Sequence, residues 1–220
     1  MRKKLIIVGT GDYAEVAFYF LSQVEEYIIE GFSEEAEFVR KNAFKDLPIF
    51  KFEDLTTLFD PAATMMLVAV GPNKVNTVRE RLFKEVKAKG FSCVKYIHPE
   101  AYVWNESAIG ENSFIFPKCI VEPFAYVGNN CALWSGSILA HHSVIEDHCF
   151  LAPGCTVSGR VTVRNNSFLG INSTIRDNIV IGEKCIIGGG AVIKKNTEAY
   201  GVYSATRTSL LNSKSLDTKV

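Results

Sequence analysis

The sequence predicts two fold classes in one chain: an α/β domain first, then an all-β parallel solenoid. Three observations predict them. Residues 1–97 alternate short apolar runs with stretches of helical spacing. From Val103 to Ile193 an aliphatic residue then stands at every sixth position without a break. Two places before each aliphatic stands a second residue that is small everywhere except at Val161 and Ile179. A period of six fits no helix, whereas residues two apart on a strand share a face. A short strand followed by a tight corner, repeated, produces the pattern.

Taken in order, Lys4–Val8 is an apolar run that ends at Gly9-Thr10-Gly11. It reads as a buried first strand, its four apolar residues being too few for a signal peptide. Asp12–Val24 has helical spacing, Tyr27–Phe32 reads as a second strand, and Phe52–Phe59 as a short helix. Met65–Val70 is a third strand, followed by Gly71-Pro72-Asn73-Lys74 and a charged helix to Lys89. Phe91–Ile97 closes the domain before His98-Pro99. Strands alternating with helices imply a parallel sheet. The turn Gly9-x-Gly11-x-x-Ala14 lies between strand and helix, where bare backbone admits a phosphate. A full dinucleotide fold needs more residues than this domain holds, so a nucleotide or nucleotide-sugar fits better than NAD. The candidate contacts are Gly9, Gly11, Asp12 and Tyr13, the strand end Phe32-Ser33-Glu34, and Asn73-Lys74.

In the solenoid, Gly110, Gly128, Gly170, Gly182 and Gly188 directly follow the aliphatic, where corners are expected to need permissive backbone. Cys119, Cys131, Cys149, Cys155 and Cys185 occupy the small inward series, and Cys93 lies in a predicted strand. All six therefore read as packing residues, neither a disulfide framework nor a zinc site. His141 and His142 fall two and three places after the inward Leu139, at an outward corner, so a core role suits them poorly. His98 reads as structural, and His148 as a possible plain surface residue.

The domain order, with Ala140-His141-His142-Ser143-Val144-Ile145, Phe168-Leu169-Gly170-Ile171-Asn172 and Ile187-Gly188-Gly189-Gly190-Ala191, resembles the hexapeptide-repeat acyltransferases. Within them it is similar to the bacterial nucleotide-sugar N-acetyltransferases of the bacillosamine and perosamine type and to their sialic-acid O-acetyltransferase cousins. The resemblance implies a Rossmann-like domain at 1–97 that holds a nucleotide-sugar. It implies a left-handed parallel β-helix at 98–197, with three hexads to a coil, and a cap and tail at 198–220. It further implies a homotrimer with acetyl-CoA in the groove between neighbouring β-helices, contacted by Ser158, Gly159, Gly170, Ile171, Gly188, Gly189 and Lys194. Lys195 or Arg207 would lie near its phosphates. His141 is then the expected general base for acetylation of a sugar amine, in keeping with an imidazole that exchanges protons near neutrality.

The eighteen-residue column stacks Pro123, His141, Gly159 and Asp177, which would set a bare backbone N–H beside the base. The family has an acidic residue after the base, and here His142 stands there. Glu146 or Asp147 are candidate substitutes to orient the ring, and His142 is expected to contribute to the site. Three alternatives stay open: O-acetylation of a sugar, a non-catalytic binding protein, and zinc chemistry like that of the gamma-class carbonic anhydrases. His142 and His148 would lie on successive faces, which disfavours the last.

The 24 basic side chains balance 24 acidic ones. Neither nucleic acid nor an anionic membrane is therefore an expected partner. No apolar run approaches the ~20 residues of a membrane span, and the expected compartment is the cytoplasm.

Overall fold

The computed structural model describes residues 2–206. Its first part is a sheet built on β1 (Lys3–Val8). That strand is flanked in parallel by β2 (Tyr27–Glu34) and, across the switch point, by β5 (Thr64–Val68). A hairpin of β3 (Ala43–Phe44) and β4 (Leu47–Lys51) extends one edge, and β6 (Ser92–Cys93) the other. The hairpin is absent from the sequence reading because its turn, Lys45-Asp46 at φ 50° and 61°, lacks the Asn-Gly signature that such a turn favours. Helices α1 (Asp12–Leu21) and α3 (Thr77–Ala88) match the expected ones within a few residues. The helix expected over 52–59 is a 3₁₀ turn at Phe52–Asp54 running into α2 (Leu55–Leu58).

The expected strand Phe91–Ile97 is two strands in two sheets. Ser92–Cys93 pairs with β5, while Tyr96–Ile97 pairs with Phe114–Ile115 of the solenoid. The β-helix thus begins at Tyr96. Pairing in steps of eighteen residues, shortened to sixteen only where Ile186 meets Val202 at the end, then builds three faces. The first face carries Phe114–Ile115, Ala132–Leu133, Phe150–Leu151 and Phe168–Leu169. The second carries Ile120–Val121, Ile138–Leu139, Thr156–Val157 and Thr174–Ile175. The third carries Tyr126–Val127, Val144–Ile145, Thr162–Val163 and Val180–Ile181. Inward aliphatics such as Val121, Leu139, Leu151 and Ile175 are wholly buried. Each contributes about 1.5–3 kcal/mol.

The corners correct one expectation. Left-handed backbone recurs every sixth residue from Asn112 to Gly190, three places after the aliphatic, not one. Five of these residues are Asn and three Gly, the types that adopt this conformation most readily. The glycines directly after the aliphatic serve close stacking instead. A Cβ on Gly110 would stand 2.6 Å from the Gly128 carbonyl carbon, and one on Gly170 2.6 Å from the Gly189 nitrogen.

The two parts are locked by polar groups along the corner between the third and first faces. Asn112, Asn130, His148 and Asn166 stack there, all buried. Asn112 Nδ2 donates to Asn130 Oδ1 at 2.7 Å, and Asn130 Nδ2 to His148 Nδ1 at 2.9 Å. From α3, the buried Arg79 donates to the carbonyls of Asn130, His148 and Cys149 at 3.0–3.3 Å. Asn76 Nδ2 donates to Asn166 O at 2.7 Å. His148 is therefore an interface residue and not a surface one.

Burial lowers the pKa of His148, with Arg79 and Lys84 acting in the same sense and Glu80 and Asp147 opposing. A histidine whose folded value is depressed stabilises fully above its unfolded value of ~6.5, and that stability is lost as pH falls below it. Burial would raise the Glu80 carboxyl, but hydrogen bonds from Lys84 and Asn166 outweigh it and hold the group low, so Glu80 acts only at more acid pH. His148→Asn, which would continue the asparagine ladder, should therefore shrink the fall in urea midpoint between about pH 7 and about pH 5.5. An unchanged fall would show that His148 does not titrate at this contact.

Candidate active site

Two features outside the core offer chemistry. The first is a cavity of about 1010 Å³ at the carboxyl ends of β1, β2 and β5. This is where open α/β sheets hold ligands. Gly9, Gly11, Asp12, Tyr13, Ser33, Asn73 and Lys74 all line it. Phe32 does not, because it points into the core against Phe18 and Phe44. Tyr13 only edges the cavity, its ring wedged among Phe114, Phe116, Trp134 and Phe150.

Glycine at position 9 is required by a φ of 116° and by the Ala69 carbonyl, 2.8 Å from where a Cβ would stand. It lets the chain turn tightly into α1, whose first amides face outward without intrahelical partners. On the opposite rim Lys74, Val75 and Asn76 are successively left-handed at φ 49°, 52° and 61°. Such a run is strained, above all at the β-branched Val75. The Asn76 anchor to the β-helix holds it and presents Lys74 at the rim.

Glu34, at the expected strand end, lines the cavity as well. Further walls carry no expectation from the sequence: Trp134 and Phe150 enter from the first face of the β-helix, and Glu35 and Phe38 from beyond the end of β2. The signal for the first pair was present: outward positions on this face are Phe114, Ala132, Phe150 and Phe168, too apolar for a wet surface. Among the described residues Ser33 Oγ and Trp134 Nε1 are buried with no hydrogen-bond partner.

The second feature is the corner between the second and third faces. His141 and His142 are exposed there, and the predicted column is real. The His142 N–H donates to Pro123 O, Arg160 N–H to His141 O, and Asn178 N–H to Gly159 O. His141 lies directly against Gly159. A Cβ on that glycine would stand 2.6 Å from His141 Cε1, 2.8 Å from Nε2 and 3.2 Å from Nδ1. Among the described residues no acceptor takes the Gly159 N–H.

Glu122 Oε2 accepts the backbone N–H of His141 at 2.8 Å. Glu146 and Asp147 do not reach the ring: they accept the backbone N–H groups of Asn165 and Asn129, one corner further on. His98 packs edge-on against Phe20 and accepts the Glu100 N–H, away from both features.

The residues expected around acetyl-CoA fall on two corners. Ser158, Gly159 and Lys194 lie at the His141 corner, whereas Gly170, Ile171, Gly188 and Gly189 lie across the second face at the other. Ile171 and Gly189 touch each other, and Ile171 is exposed. Lys195 is exposed beside Lys194, and Arg207 lies outside the described residues. All six cysteines are free and buried, and burial pushes the Cys155 thiol up to about 12, which suits packing and not nucleophilic chemistry. No group of three potential metal ligands exists among the described residues. No helix among them is long and apolar enough to cross a membrane.

This architecture is the left-handed β-helix of hexapeptide-repeat proteins, carried behind a Rossmann-like α/β domain. Residues 92–199 match the family described as the GMPPB C-terminal domain. No curated protein matches the sequence. Among solved structures the chain is similar to a histidine-to-asparagine mutant of perosamine N-acetyltransferase from Caulobacter crescentus in complex with CoA and GDP-perosamine. The TM-score is 0.82 at 23% identity, over 92% of this chain and 93% of that one. It is similar as well to the acetyltransferase domain of PglB from Neisseria gonorrhoeae, with TM-score 0.82, 20% identity and coverage of 93% and 97%. WeeI from Acinetobacter baumannii follows with TM-score 0.75, 18% identity and coverage of 91% and 95%.

The packing of His141 on Gly159 generates a test. Gly159 is not in the left-handed region, so Gly159→Ala strains no backbone, and the atoms nearest the added methyl all belong to the movable imidazole. The variant should melt with the wild type while a crystal structure finds the His141 ring displaced. A ring that stays in place would show that the glycine does not define its position.

Proposed function

We propose that this protein transfers the acetyl group of acetyl-CoA to the amine of a nucleotide-linked amino-deoxy sugar, with His141 as general base. The observation that carries the reading is an exposed imidazole laid against a bare glycine, in a chain that also holds a nucleotide-sized cavity. The cavity suits the nucleotide. The α1 amides and Lys74 suit the phosphates, Glu34 suits a ribose diol, and the apolar wall of Trp134 and Phe150 suits a flat ring. The unpaired Ser33 and Trp134 groups are available to a polar ligand.

At the corner, His141 Nε2 takes the proton from the amine as its nitrogen bonds to the thioester carbonyl carbon. The Gly159 N–H is suited to donate to the carbonyl oxygen as charge gathers there. When the carbon–sulfur bond breaks, His141 returns the proton to the leaving sulfur. The perosamine enzyme that the fold matches is described with CoA and GDP-perosamine, which supports this pairing of ligands.

The layout supports assembly as a homotrimer. The cavity opens beside the first face, whereas His141 stands at the corner between the second and third, so the sugar must reach a neighbouring copy's imidazole. Half-exposed apolar residues flank that corner on both faces: Ile120 and Ile138 on one, Val144 and Val180 on the other. Acetyl-CoA then lies between copies, against Ser158, Gly159 and Lys194 of one and Gly170, Ile171, Gly188 and Gly189 of the next. The balanced net charge and the activated substrates suit work in the cytoplasm.

The test is acetyl-CoA consumption against UDP-, dTDP- and GDP-linked 4-amino-4,6-dideoxy sugars. One of them should turn over, and His141→Ala should lower the rate by about 10²–10⁴-fold while the protein stays folded. Acetylation only of a sugar hydroxyl would assign the O-acetyl reaction. No turnover with any of these, and no thermal stabilisation by acetyl-CoA, would leave a binding protein.

A further inference from the structure

A general base at position 141 needs one ring nitrogen without hydrogen, and the corner contains a device that selects it. His141 Nδ1 and His142 Nδ1 face each other at 3.1 Å, with the rings at 85°. Two neutral imidazole nitrogens at that distance share one hydrogen: two would collide, and none would oppose two lone pairs. Whichever ring donates from Nδ1 is left with a bare Nε2. Among the described residues neither ring has another hydrogen-bond partner, and Glu122 meets the backbone N–H of His141 and not its ring.

The two rings are held differently. His142 sits in left-handed backbone at φ 59°, with its ring 4.8 Å from Phe124. Phe124 in turn lies 5.5 Å from Trp104, whose Nε1–H is fixed on Ala125 O at 3.0 Å. His142 is thus braced by an aromatic stack, whereas His141 rests on a glycine with nothing bulky on it.

We propose that His142 is a positioning residue for His141. Its Nδ1 accepts the Nδ1–H of His141, which fixes the tautomer that leaves His141 Nε2 free to take a proton. The proposal rests on the acetyl-transfer reading and deepens it. The acceptor is neutral, so the pair orients the base by geometry without adding a charge to the corner.

Nitrogen-15 spectra of histidine-labelled protein read the tautomer without turnover, so they decide the pairing whether or not the chain transfers acetyl groups. The wild type, at a pH where both rings are neutral, should show His141 with Nδ1–H and a bare Nε2. His142→Ala should shift His141 toward the Nε2–H form. His142→Asn should restore it, because its Oδ1 also accepts and Asn already fills the same left-handed place at Asn112, Asn130 and Asn178. In turnover, His142→Ala should lower kcat roughly tenfold to a hundredfold. KM should stay within about twofold, and Asn should recover most of the loss. A wild-type His141 that carries Nε2–H, or a tautomer unchanged in His142→Ala, overturns the proposal. Loss of transfer in the wild type alone would instead count against the acetyl-transfer reading and leave the pairing intact.

Discussion

Coil-to-coil hydrogen bonding in steps of eighteen residues is the constraint on which the rest of the molecule depends. Once Ile120 pairs with Ile138 and Ile138 with Thr156, every side chain is committed to a column. The inward column must be aliphatic, because nothing else fills a three-sided interior without voids. Its neighbour must be small, and serine hydroxyls there bond across coils, as Ser113 Oγ does to Gly128 O at 2.7 Å. The corner column must tolerate left-handed backbone. Within the β-helix, function is therefore confined to what is left, the outward columns and the corner tips: His141 stands at a corner, and Trp134 and Phe150 reach the cavity from outward columns.

The second constraint is the buried guanidinium of Arg79, which no carboxylate among the described residues neutralises. Burial lowers its pKa, and it answers with hydrogen bonds to carbonyls on the β-helix. A charge taken out of water is tolerable only where such acceptors are fixed in advance. The carbonyls at the ends of the third-to-first corner are fixed by the coil ladder itself. The same contact seats α3, and with it the strained Lys74–Asn76 run, against the first face. The cavity therefore has a wall from each part of the chain, and its shape is a property of the docked pair.

How much of this could be read from the sequence differs by feature, for physical reasons. The coil was legible because Val103 to Ile193 obeys a period that no other structure explains. The outward corner of His141 followed by counting from Leu139, and the Gly9–Gly11 turn followed from residue type. Phe32 was misjudged because the carboxyl end of a strand carries alternate faces, and a single register decides which residue meets the ligand. The corner glycines were assigned to the wrong demand: close stacking and left-handed backbone both select glycine, but the run of Asn at 112, 130, 166, 172 and 178 marks the second one. Arg79 and Asn76 carried no local signal, since nothing in a charged helix tells which arginine will be buried by a distant corner. Trp134 and Phe150 could have been found by sorting outward residues by face, because only a covered face keeps so many aromatics.

The separation between cavity and imidazole has a further consequence for catalysis. In a triangular prism three corners cannot coincide, and here the α/β domain occupies the corner that bears His148 while His141 stands at another. His141 is accordingly not among the residues that line the cavity of its own chain. If copies associate as proposed, a neighbour closes that gap and dries the imidazole's surroundings, which strengthens every hydrogen bond at the site. Under the proposed reaction, the Gly159 amide and the paired imidazoles act only when a neighbour's pocket delivers an amine to them. The proposed trimer and the proposed reaction are then one event, set by the angle between faces and by the contact that pins the α/β domain to one of them.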